Sequence, residues 1–256
     1  MIQVFQITAA SILLYMTGWF IASQIKGRND IADVAWGLGF ILAAGISLTA
    51  SGIYAPRGIL ISGLVLIWGI RLALHIHTRN SGKGEDPRYK KWREDWGRWF
   101  VLRSFLQVFM LQGVLLLMVA VPIVFANSVA ARPLGWLDLL GLLVWLYGFG
   151  FEAVGDWQLL MFIRNPANKG KLMTGGLWRY TRHPNYFGEV TLWWGVWLMT
   201  LTLPGGWFTI IGPLTITILI LKVSGIPMLE KPYEDRADFQ EYKRRTSAFF
   251  PLPPKS

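Results

Sequence analysis

Apolar runs of bilayer-crossing length constrain this chain more than any other feature. Seven of them lie at about 4–24, 32–51, 58–77, 104–126, 135–159, 187–203 and 207–226, each close to the ~20 residues a helix needs to span the hydrocarbon. Inside lipid every backbone N–H and C=O must be satisfied within the protein, so such runs fold as helices. The expectation is an all-α, polytopic membrane protein with seven transmembrane helices, built as a single membrane-embedded domain over 1–256. Hydrophobic residues make up 53% of the 256, and the charged ones fall between the runs instead of mixing along them, which excludes a soluble globule. The first run has no basic segment before it, its first charge being Lys26, and it is longer than the apolar stretch of a cleaved leader, so it reads as a retained helix.

The net charge of +10 would suit nucleic acid if it formed one patch, but it sorts by loop. Lys26 and Arg28 follow the first run, Arg79 to Arg103 the third, Arg164 to Arg182 the fifth, and Lys231 to Lys255 fill the tail; the opposite loops hold only Arg57 and Arg132. By the positive-inside rule the N-terminus faces out and the C-terminus lies in the cytoplasm. The outward loops at 51–58 and 127–135 carry turn residues and little else. Cysteine is absent, so disulfide and thiolate chemistry are excluded, and three scattered histidines do not suggest a metal site.

Polar chemistry gathers on the cytoplasmic side. The stretch GLWRYTRHPNYFGE at 176–189 sets Arg179, Tyr180, Arg182, His183 and Tyr186 in or beside a turn that runs into an apolar helix. Pro184 suits the first helical position, and a helix N-terminus attracts anions. Asn185 and Glu189 then share one helical face. Either these groups hold a phosphate or carboxylate, or they are interfacial anchors. Trp92, Trp96 and Trp99 are spaced to line one side of a helix in the headgroup plane. In the tail, Tyr242, Lys243, Arg244 and Arg245 either close over a phosphate-bearing ligand or face anionic lipid.

A charge at membrane depth costs roughly 2.5–3.5 kcal/mol and so marks a site or an ion pair. Asp30 and Asp33 open the second run, Arg71 and His75 share a face of the third, Glu152 and Asp156 share a face of the fifth, and Lys222 and Glu230 end the seventh. Asp30 reads equally as an N-cap, and Arg71 as the structural counter-ion of Asp33. These groups from separate helices imply a shared polar cavity.

The segment RHPNYFGE at 182–189 resembles the C-terminal part of the steroid 5-alpha-reductase superfamily. With DIADVAWG at 30–37, the stretch from Arg71 to Tyr89, and EYKRRTSAFFP at 241–251, the whole chain resembles the superfamily's bacterial DUF1295 branch. That resemblance implies NADPH, held by a half spanning 135–254, with Asn185 and Glu189 near the nicotinamide. Asp156 is similar to the aspartate preceding that element. Arg164 lies one residue from the place of a phosphate-binding arginine; Arg179, Tyr180 and Arg182 would line the phosphate path, and Tyr242, Arg244 and Arg245 would fold over the dinucleotide. The reductases' Gln-Glu pair and their tyrosine in the third helix do not appear here, and their places are taken by 30–37 and by Trp68 to His75.

Two functions follow as expectations. The first is NADPH-dependent reduction of an activated C=C bond in a lipid-soluble, steroid-like or isoprenoid enone substrate, in a bacterial inner membrane with the cofactor site facing the cytoplasm. His75 or protonated Asp33, oriented by Arg71, would be the acid. The second is S-adenosylmethionine-dependent methylation of a lipid or prenylated thiol, since a similar Arg-His-Pro turn occurs in membrane methyltransferases.

Overall fold

The structure, a computed structural model, describes residues 1–130 and 132–255 and is helical throughout, with no strand among them. Six helices are long and apolar enough to cross a membrane: α1 (Ile2–Lys26), α2 (Ile31–Ser51), α3 (Pro56–Asn80), α4 (Pro87–Val119), α6 (Trp136–Arg164) and α8 (Gly206–Tyr233). Between them lie the short α5 (Val121–Ser128) and the 17-residue α7 (Pro184–Thr200), and α9 (Ala237–Arg245) occupies the tail. The run expected at 187–203 corresponds to α7, which starts at Pro184 and is shorter than the usual crossing length. The tryptophan-bearing segment after α3 runs on into α4, where Trp92 and Trp96 stack at 5.4 Å between ring centroids. A π turn at Ser104–Met110 interrupts α4, and another at Leu219–Val223 interrupts α8.

The chain packs as two compact units, 1–135 with 203–211, and 136–202 with 212–256. In the first unit α2 and α3 meet through glycines: a Cβ on Gly69 would stand 2.7 Å from the Gly37 carbonyl oxygen. Trp68, Phe40 and Phe109 are fully buried, with Phe40 and Trp68 edge to face at 5.4 Å. Asn127, which reads as part of an outward loop, is instead buried in α5, where its amide nitrogen donates to Ala44 O, Ser47 Oγ and Ser62 Oγ. A short amide at a membrane boundary looks like a turn residue in sequence; only packing shows it stitching α2, α3 and α5 together.

In the second unit α6 and α7 lie backbone to backbone. Gly141, Gly148 and Gly155 of α6 recur every seven residues, and so do Gly188 and Gly195 of α7. A Cβ at Gly148 would stand 2.5 Å from Leu192 N, and one at Gly188 would stand 2.4 Å from Glu152 N. Small residues at this spacing let membrane helices approach closely, where packing and not hydrophobicity drives association. The approach brings the acidic face of α6 against the start of α7.

Candidate functional site

The polar groups of the second unit are placed by the turn before α7. His183 caps the helix, Pro184 fills its first position, and Trp178 Nε1 donates to Gly155 O at 3.1 Å. Gln158 Oε1 accepts from Leu177 N at 2.9 Å, so the turn is fastened to α6 at two points. Gly155 has room for no more than a hydrogen, since a Cβ there would meet Asn185 N and Pro184 Cγ at 3.1 Å. That contact carries Asn185 to the neighbouring Asp156, whose Oδ1 accepts from Asn185 Nδ2 at 3.0 Å. Asp156 is buried, as is Glu152 one turn away, and Glu189 is half-buried on α7. Asn185 Oδ1 is itself buried and accepts no hydrogen bond. A buried carbonyl oxygen left so is costly unless a ligand donor reaches it.

Arg182 and His183 turn inward. Both nitrogens on one edge of the Arg182 guanidinium grip Glu230, Nε to Oε1 at 2.8 Å and Nη2 to Oε2 at 3.2 Å, and Nη1 donates to Thr246 O at 2.6 Å. His183 Nε2 lies 2.9 Å from Glu230 Oε1, and its ring stacks on Tyr186 at 5.7 Å. Arg182, His183 and Glu230 are all buried. Arg182 therefore ties the turn, the end of α8 and the tail together. The tail is held further by Arg182 N to Ser247 O at 2.9 Å, Leu252 N to Tyr180 O at 2.9 Å, and the Tyr242 hydroxyl donating to Trp178 O. Burial pushes the Tyr242 phenol above its ordinary pKa, so it remains a donor.

Stitched in this way, the tail forms one wall of an open groove of about 290 Å³ lined by Arg182, Lys243, Arg244, Arg245 and Lys255 with Thr246 and Ser247. Arg244 and Arg245 are exposed there. Arg164 stands exposed at the end of α6, and Arg179 and Tyr180 are exposed on the turn; none of the three lines the groove.

The first unit carries a second cluster. Asp33, in the first turn of α2, accepts from the Tyr89 hydroxyl at 2.9 Å and lies 3.5 Å from Arg88 Nη2. Tyr89 is buried and Asp33 half-buried. Asp86 caps α4 by accepting from Arg88 N at 2.9 Å, and its oxygens also take the Arg88 Nε and Nη2 protons. Burial works to raise the Asp86 carboxyl, but these bonds outweigh it and hold it below the ordinary carboxylate value. Arg71 and His75 sit half-buried, one turn apart on α3. The groups that sequence reasoning missed are Tyr89 and Arg88 as partners of Asp33, and Glu230 as partner of Arg182. The signal for Tyr89 and Arg88 is the acid-proline pair at Asp86-Pro87, a helix start that fixes which face of α4 Tyr89 occupies. No group of three or more His, Asp or Glu side chains among the described residues is set to hold a metal ion.

Residues 19–246 match the family described as "Protein of unknown function (DUF1295)". With nearly the full length covered, the chain belongs to that family. A stretch of 53 residues is 42% identical to the probable O-methyltransferase ustE of Ustilaginoidea virens, covering 21% of this chain and 18% of that protein. The match thus spans just under a fifth of that curated relative's length. No solved structure matches.

Proposed function

We propose that this protein is an NADPH-dependent membrane reductase of an activated C=C bond in a lipid-soluble substrate. The observation that carries it is the Asn185–Asp156 pair with its unpartnered buried oxygen, in the same unit as a groove walled by cations. A buried acceptor favours a ligand N–H or O–H, and the four exposed basic side chains outnumber the Glu241 carboxylate that pairs with Arg244 and Arg245, so they favour an anion. A phosphorylated dinucleotide carries a carboxamide donor and several phosphates on one molecule, the two kinds of group that these residues favour. Asn185 and Asp156 would hold the carboxamide end, and Lys243, Arg244, Arg245 and Lys255 the phosphates, with Arg179 and Tyr180 beside them. Arg182 and His183 contribute through Glu230, by fixing the tail whose basic residues meet the ligand.

When bound, the nicotinamide would supply hydride, and the protein would supply its placement. Within the first unit the Tyr89 hydroxyl donates to Asp33 Oδ1 at 2.9 Å, and we assign Tyr89 as the proton donor to a substrate oxygen on which negative charge develops. Arg88 offsets the charge left on the pair. The assignment rests on the hydrogen bond between the Tyr89 phenol and the Asp33 carboxylate. In this account α7 is the seventh crossing, the N-terminus is outside, and the cofactor is taken from the cytoplasm of a bacterial cell through its inner membrane.

The similarity to a probable O-methyltransferase favours a second reading, methyl transfer from S-adenosylmethionine to a lipid or prenylated thiol. That cofactor also carries N–H and O–H donors for Asn185 Oδ1, but a single carboxylate gives little for four cations to meet. Binding measured on the detergent-purified protein separates the two. Saturable binding of NADPH that weakens in Arg244→Ala/Arg245→Ala supports the reductase, and selective binding of S-adenosylmethionine overturns it.

A further inference from the structure

Resting on the Tyr89–Asp33 assignment above, we propose that Glu85 is a positioning residue, the keystone of a clasp that sets Tyr89 on Asp33. The two oxygens come from residues 56 apart in sequence, on helices that start at separate turns. Something must fix those two turns against each other, and the structure supplies it at Gly27–Asp30 and Lys83–Asp86.

Glu85 Oε1 accepts from Asn29 N at 2.7 Å, tying the second turn to the first. The same carboxylate takes both edge nitrogens of Arg93, Nη2 at 3.1 Å and Nε at 3.3 Å, while Arg93 Nη2 donates to Gly27 O at 3.0 Å. A mirror-image arrangement runs through Asp30. Arg28 binds it with two nitrogens, at 2.7 and 2.6 Å, and its Nη1 donates to Lys83 O at 3.1 Å. Asp30 Oδ2 then accepts from Asp86 N at 3.3 Å. Each carboxylate is thus held by an arginine fork and also holds a backbone N–H of the opposite turn. Fork pairs of this kind add geometric specificity to their energy.

The first turn is anchored below by Asn29, 1% exposed, whose Nδ2 donates to Ser104 Oγ at 2.7 Å. Ser104 opens the π turn of α4, so α4 is held to the same turn at Arg93 and again eleven residues on. The next residue after the clasp, Pro87, starts α4, and Tyr89 follows on its first turn. Loosening Glu85 would let the start of α4 move as a body and carry the phenol away from Asp33, without touching either group. Catalytic geometry tolerates little of this, a shift of about 1 Å costing up to about 100-fold.

The full-length protein, labelled with 3-fluorotyrosine and purified in detergent, tests this by 19F NMR. The Tyr89 resonance is the one absent from Tyr89→Phe. Glu85→Ala should move it in the same direction as Asp33→Asn, whereas Glu94→Ala, an exposed change on the same helix, should leave it in place. Turnover in Glu85→Ala should fall about tenfold or more with the cofactor Kd unchanged, and Glu85→Gln, which keeps an acceptor for Asn29 N–H, should fall less. If Glu85→Ala does not elute as a folded protein, Arg93→Gln removes half of the clasp and should shift the same resonance. An unmoved Tyr89 resonance in whichever of these variants folds overturns the proposal. Full turnover in Tyr89→Phe, with the resonance still moved by Glu85→Ala, removes the acid assignment and leaves the clasp standing.

Discussion

At the scale of the residue, the same side-chain type does different work according to what it touches. Arg182 and Arg244 belong to one basic region, yet Arg182 is buried and spends its nitrogens on Glu230 and Thr246, while Arg244 is exposed on the groove wall and pairs with the exposed Glu241 one turn before it. Arg182→Lys should therefore loosen the tail, since an ammonium cannot reproduce the fork, whereas Arg244→Ala should leave stability unchanged and weaken ligand binding. Limited proteolysis of the tail beside a ligand titration separates the two outcomes. Asn185→Ala should weaken cofactor binding by about tenfold, the loss of ~1.4 kcal/mol expected for one good hydrogen bond to a buried partner. Asp33→Asn or Tyr89→Phe should spare binding and lower kcat. Asn185 and Asp156 were legible in the sequence because a polar residue at membrane depth is costly wherever it sits. Tyr89 was not, because tyrosine is common at membrane boundaries and its partner lies two loops away. Glu230 was visible as a charge near a helix end, but its partners could be known only once the tail was seen to return to the turn.

Asp86 gives a pH prediction at the same scale. Its carboxyl is held below the ordinary value in the folded protein, so the folded state binds its proton less readily than the unfolded chain does. The stabilisation it gives is present above the unfolded value of about 3.9 and is lost as pH falls through the depressed folded value. Asp86→Ala should lower stability by about 1 kcal/mol at neutral pH, as loss of an N-cap does, and its melting curve should converge on the wild type only under strongly acid conditions.

At the scale of the element, the contact between α6 and α7 decides whether the site exists. Gly148→Ala would set a Cβ 2.5 Å from Leu192 N, and Gly188→Ala would set one 2.4 Å from Glu152 N. Neither neighbour is a flexible side chain, so the helices must part, at a cost of about 1–3 kcal/mol or more. The Asn185–Asp156 bond spans that same contact, so both variants should lose cofactor binding together with thermal stability. Gly150→Ala makes the control, because its Cβ would meet nothing within 4 Å, and it should be neutral or stabilising by up to about 1 kcal/mol. The placement of six of the seven expected helices was legible from apolar runs, which follow from bilayer thickness, while the run at 187–203 falls in the shorter α7. The ends were not: the start of α4 at Pro87, well before the apolar run at 104, is set by the Asp86 cap and by Arg88 and Arg93 finding carboxylates. The seven-residue glycine spacing was present in the sequence, but it gains meaning only when the two stripes are seen to face each other.

At the scale of the whole molecule, the six membrane-length helices and the family membership make this an integral membrane protein of the DUF1295 family. The sorting of basic residues predicts that a reporter fused after Lys255 is active in the cytoplasm, and one fused before Met1 only outside it. Each unit carries its own polar cluster, one around Asn185 and the tail, the other around Asp33. Cofactor binding is assigned to the first of these. It is tested most directly by the thermal unfolding of the detergent-purified protein with NADPH, NADH or S-adenosylmethionine, in the wild type and in Asn185→Ala. NADPH should raise the wild-type midpoint more than NADH does, as ligand binding to the folded state requires, and the rise should shrink in Asn185→Ala. Stabilisation by S-adenosylmethionine alone, or an NADPH shift untouched by Asn185→Ala, would contradict it.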